Sequence, residues 1–94
     1  MDDHERALLG EWRQVRPVPD PASITVRFDT GGALTYTIDM GSTQTIALQW
    51  RVDGDVLVIA PVGTATGERT PFRFRSPTVL VLERGEERFV YFRA

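Results

Sequence analysis

The sequence predicts an all-β fold, a small eight-stranded antiparallel up-and-down barrel with a short N-terminal helix. Three observations carry that prediction. From Glu11 onward apolar residues recur with a period of two, the strand signature. Gly, Pro and Asp clusters interrupt the runs about every eleven residues, the spacing of sandwiches and barrels. The connections are also too short for the crossovers that a parallel sheet requires. A meander of eight strands leaves two exposed edges unless the sheet closes. At eight strands, closure gives an interior that side chains fill or that holds one small ligand.

Only the first ten residues read as helix. Asp2 followed by Glu5 has capping-box spacing, Ala7, Leu8 and Leu9 supply an apolar end, and Gly10 suits the left-handed position that stops a helix. Two turns are too short to stand alone, so the helix must pack on something. The first strand, Trp12 to Arg16, is closed by Pro17, Pro19 and Pro21, which cannot donate to a ladder. Ser23 to Asp29 and Ala33 to Asp39 each show one apolar face, and Asp29-Thr30-Gly31-Gly32 turns the chain between them. Thr43 to Asp53 sets Ile46, Leu48, Trp50 and Val52 on one face, and Asp53-Gly54-Asp55 leads into Val56 to Ala60. After a small polar loop from Pro61 to Gly67, Arg69 to Ser76 alternates Phe72 and Phe74 with Arg73 and Arg75, and Pro77 ends it. Thr78 to Arg84, Gly85-Glu86-Glu87 and Arg88 to Arg93 form the last hairpin.

At 94 residues the expectation is a single domain over residues 1–94. A net charge of −2 with 41% apolar and 26% charged residues argues against disorder and against a nucleic-acid binder recognised by bulk charge. All eleven basic residues are Arg. The longest apolar runs fall far short of the ~20 residues that cross a bilayer, and MDDHERALLG lacks a basic leader, so no membrane partner and a cytoplasmic location are expected. With no Cys, there is neither a disulfide framework nor a thiolate nucleophile.

Gly10-Glu11-Trp12, a GxW entering the first strand straight after a short helix, resembles the first signature of the lipocalin superfamily, the calycins. Phe28 with Gly32 and Tyr36, followed by Trp50-Arg51-Val52-Asp53-Gly54-Asp55-Val56-Leu57, is similar to the small bacterial lipocalin-like domains. The resemblance implies that Trp12 sits at the closed end of a barrel beneath an Arg of the last strand. Arg93 matches that role, being in phase with Phe89 and Tyr91, and a guanidinium over an indole is sound cation–π physics. Gly10, Trp12 and Arg93 are therefore the expected closure, and a small apolar ligand in the barrel is the implied function.

Chemistry by the chain's own side chains has few means. His4 is the only His, and Ser23, Ser42 and Ser76 lack the setting of a nucleophile elbow, so no catalytic residue is assigned. One His without Cys argues against zinc, and Asp53-Gly54-Asp55 reads as a hairpin turn rather than a calcium loop, leaving no metal and no cofactor expected. Gly63 to Thr70 misses the phosphate-loop pattern, with Glu68 where a Lys belongs. Arg27, Arg51, Arg73 and Arg75 lie on strands that are not neighbours in a meander, which favours a solvated face over nucleic-acid binding.

Phe28, Tyr36, Trp50, Phe74 and Tyr91 are the candidate ligand contacts, with plain core as the alternative. Apolar residues also occupy the outward phase of the late strands. Val15, Val79, Val81, Val90 and Phe92 form a candidate interface for a homodimer or another protein, unless the N-terminal helix covers them with Leu8 and Leu9. The expected function is thus non-enzymatic binding, of a ligand inside or a partner outside. A partner-specific inhibitor or immunity-type protein is one alternative. An enzyme is another, for which a cavity holding Asp39, Glu83 or an Arg would speak.

Overall fold

The structure, a computed structural model, describes residues 3–17, 20–64 and 66–94. The expected cap Asp2, the expected strand breaker Pro19, and Ala65 of the Pro61 to Gly67 loop lie outside the described residues. One helix, α1 (Asp3–Leu8), precedes eight strands: β1 (Gly10–Arg16), β2 (Ser23–Phe28), β3 (Ala33–Asp39), β4 (Thr43–Asp53), β5 (Val56–Pro61), β6 (Glu68–Ser76), β7 (Val79–Arg84) and β8 (Glu87–Arg93). Every neighbouring pair is antiparallel, and β1 pairs with both β2 and β8, so the sheet is a closed up-and-down barrel. Closure leaves no edge strand to recruit another chain.

The turns follow from their residues. In the β4–β5 and β7–β8 hairpins, Gly54 and Gly85 stand first in two-residue loops with φ of 65° and 60°, while the residues after them keep negative φ. That is the type II′ pattern, whose twist matches the flanking strands. Gly10 follows the helix with the positive φ expected of the residue that ends it, 112°, and at the same time opens β1 opposite Phe28.

Register fixes what points inward. Trp12 lies opposite Val26, which lies opposite Tyr36, and Gln14 lies opposite Tyr91, which lies opposite Leu80. The core runs through Leu8, Trp12, Phe28, Leu34, Trp50, Leu57, Phe72 and Leu80. Each fully buried side chain of this kind contributes about 1.5–3 kcal/mol. Helix α1 lies across one end of the barrel, where His4 Nδ1–H donates to the Gly54 carbonyl at 2.9 Å and the ring meets Phe72 edge-on at 5.6 Å. Leu8, wholly buried, joins the core there, so the helix plugs the barrel instead of covering the outer face of β7 and β8.

Apolar residues in the outward phase are largely covered by the chain itself. Val58 and Ala60 are buried because the β5–β6 loop folds back over β5. A Cβ at Gly67 would stand 2.7 Å from Val58 Cγ1 and 2.9 Å from the Ile59 carbonyl oxygen, an approach only glycine permits. Gln49 Nε2 holds the same loop through the Thr64 carbonyl at 2.6 Å. Val81 and Val90 stand in one row between Arg73 and Arg16, and Arg73 reaches Glu83 at 3.3 Å. Long arginine stems beside valines remove them from water while the charged heads stay solvated. Val81 is 0% exposed, which narrows the open part of the expected interface to Phe92, 50% exposed, with Val15 and Val79 half-buried beside it.

Candidate functional site

The barrel has two unlike ends. At the closed end, Arg93 Cζ sits 4.2 Å from the centroid of the Trp12 ring. Its Nη1 donates to the Leu9 carbonyl at 2.9 Å and its Nη2 to the Ala7 carbonyl at 2.7 Å. Trp12 Nε1–H donates to the Leu8 carbonyl at 2.9 Å. Three consecutive carbonyls at the C-terminus of α1, which its own hydrogen bonds leave open, thus receive side-chain donors. A cation there also complements the negative end of the helix. Gly10 makes room: a Cβ on it would come within 2.9 Å of Arg93 Nη1. Trp12 continues to Phe74 at 6.0 Å between ring centroids, and Phe74 to Phe72 at 5.9 Å. This end is filled.

The opposite half holds a cavity of about 360 Å³, open at the end away from α1. Its walls are mostly apolar, from Val26 and Phe28 on β2, Leu34 on β3, Leu48 on β4, Leu80 and Leu82 on β7. Its volume falls within the ~300–1,000 Å³ of ligand sites and equals the room of about a dozen waters at ~30 Å³ each. Phe28, in its wall, packs edge-to-face on Trp50 at 5.1 Å and 87°.

Six polar side chains share the cavity: Gln14, Tyr36, Glu68, Thr70, Arg84 and Tyr91. Tyr91 donates its hydroxyl to Gln14 Oε1 at 3.2 Å, and Gln14 Nε2 donates to the Pro17 carbonyl at 3.2 Å. Arg84 Nη2 meets Glu68 Oε1 at 2.5 Å, and its guanidinium lies 6.0 Å from the Phe89 ring centroid. Burial pushes the Tyr91 phenol well above its ordinary range, the Tyr36 phenol adds to that rise, and Arg84 opposes it. Tyr36 is raised as well, mainly by burial, with Arg84 again opposing. Both phenols therefore stay protonated, as hydrogen-bond donors.

Of the five candidate ligand contacts, the structure gathers Phe28, Tyr36 and Tyr91 around the cavity. Trp50 and Phe74 pack lower. Trp50 Nε1–H is satisfied by the Asp29 and Ala33 carbonyls at 3.2 and 3.0 Å, and Phe74 lies against Trp12. Glu68, Thr70 and Arg84 escaped the sequence reading, although the phase of Phe72 carried back to Thr70 and Glu68, and that of Leu80 and Leu82 carried on to Arg84, points all three inward. Asp39 is exposed, and Glu83 pairs with Arg73 outside the barrel. Among the described residues, no three His, Asp or Glu come together in an arrangement that would hold a metal ion. No helix among them is long and apolar enough to cross a membrane.

Compared with protein-family models, curated proteins and solved structures, the chain finds no match in any of the three.

Proposed function

We propose that this protein is a lipocalin-like, non-enzymatic binding protein that takes one small, mostly apolar molecule through the open end of its barrel. The observation that carries the reading is the 360 Å³ apolar cavity with its polar groups gathered from β1, β3, β6, β7 and β8. Apolar walls supply burial free energy, and a few placed polar groups orient what enters. Of the ionisable groups that line it, Glu68 and Arg84 pair with each other at the mouth and Tyr91 donates to the Gln14 amide, which suits holding a ligand better than transforming it. The GxW turn and the Arg93–Trp12 stack support the lipocalin likeness.

Titration with 1-aminoanthracene, a small apolar fluorophore, tests the reading. Saturable binding of one probe per chain is expected, lost in Leu82→Trp, which fills the cavity, while the circular dichroism of the fold persists. Absence of saturable binding to the intact fold would sink it.

A second reading places a protein partner, such as a second copy, on the outer face around Phe92 and Val79, which stand opposite each other on β8 and β7. Light scattering during size exclusion decides it. A dimer that Phe92→Glu disperses supports self-association, whereas a monomer unaltered by the substitution removes it.

A further inference from the structure

The polar end of the cavity carries information about the ligand's head group. Among the described residues, none gives the Tyr36 hydroxyl a hydrogen-bond partner, although the ring lines the cavity and its proton is retained. Tyr91 differs, since Gln14 already accepts its proton. The cavity thus presents two neutral hydroxyls with no protein partner among the described residues, Tyr36 on β3 and Thr70 on β6, of which the phenol is the stronger donor. The charged groups are the reverse case. Glu68 and Arg84, at the ends of β6 and β7 beside the mouth, form an ion pair that leaves the cavity with no net charge. A ligand carboxylate approaching Arg84 meets the Glu68 carboxylate already there, and two like charges at that spacing disfavour one another. A neutral oxygen acceptor meets no such opposition and can accept from the Tyr36 hydroxyl.

We propose, building on the cavity reading above, that the natural ligand is an uncharged apolar molecule with one hydrogen-bond-accepting oxygen, a ketone, aldehyde or ester. Tyr36 donates to that oxygen, and Glu68 is the specificity residue that excludes carboxylates. Tyr36 acts as a binding residue. Glu68 acts through charge rather than contact.

Three naphthalenes of nearly equal size test this in calorimetric titrations: 2-acetylnaphthalene with a neutral acceptor, 2-naphthoate with a carboxylate and 2-ethylnaphthalene with neither. The ketone is expected to bind the unaltered protein about three- to tenfold more tightly than the ethyl compound, the range of one net hydrogen bond. It should exceed the naphthoate by about tenfold or more. Tyr36→Phe should erase the advantage over the ethyl compound without weakening the ethyl compound itself. Glu68→Gln should raise naphthoate affinity about two- to fivefold at low salt, less at high salt because about half of the Glu68 side chain is exposed, and leave the ethyl compound unchanged. Equal affinities for all three in the unaltered protein would leave the cavity reading standing and overturn the head-group assignment. A naphthoate preference in the unaltered protein would overturn it too. Failure of all three to bind overturns both.

Discussion

Gly10 is where a single methyl group does most harm at the closed end. Its φ of 112° is a backbone conformation that side-chain-bearing residues rarely adopt, and the added Cβ would press on Arg93 Nη1 at 2.9 Å. Gly10→Ala should cost about 1–3 kcal/mol, from backbone strain together with displacement of the guanidinium. Urea denaturation measures it, as a lower midpoint with an unchanged slope. Arg93→Lys keeps the charge but loses the planar face over Trp12 and the fork that spans two helix carbonyls. About 1–2 kcal/mol is expected. Because both substitutions spoil one contact, Gly10→Ala combined with Arg93→Ala should destabilise by less than the sum of the single effects. Strict additivity would show that the glycine and the arginine are not coupled.

At the scale of the elements, α1 owes its existence to packing. Six residues cannot hold a helix in water, so the buried Leu8 and the donors at the Ala7, Leu8 and Leu9 carbonyls must hold it. Leu8→Ala should cost about 2–5 kcal/mol, visible in the same denaturation curves, and α1 amides should then exchange with solvent faster than those of β3. A variant whose α1 exchange is unchanged would show that Leu8 does not anchor the helix. Strand boundaries were legible because alternation and turn residues are local signals: Ala33 to Asp39 and Thr43 to Asp53 were read to the residue. Height along the barrel was not. Alternation says that Trp50 and Phe74 point inward, but the stagger between strands decides that both fall below the cavity. Nor does alternation show that Val58 lies under a loop that returns across it from Gly67, since that contact is made by tertiary folding.

At the scale of the whole molecule, composition and burial together isolate one observable. The chain has no Cys, its basic residues are all Arg, and it contains two Tyr, both facing the cavity. With neither Lys nor Cys in the chain, the two phenols are the side chains whose ordinary range lies between roughly pH 9 and 12. Folding raises both above their ordinary value of 10.0, mainly through burial. As pH rises through that value, the unfolded chain gives up phenolic protons that the folded chain keeps, so the folded state binds more protons and stability falls. The stabilising contribution is therefore whole below pH 10 and is lost progressively above it. The limiting slope is about 1.4 kcal/mol per pH unit for each phenol held protonated. Urea denaturation from pH 8 to 12 should give a plateau followed by a decline. Tyr91→Phe should flatten that decline most, because Tyr91 is the more strongly shifted of the two. A bound neutral ligand that accepts from Tyr36 should steepen the decline, since it binds the protonated phenol and is released when that proton leaves. Stability that stays level to pH 12, or a slope that Tyr91→Phe leaves untouched, would mean that the cavity does not shield its phenols from water.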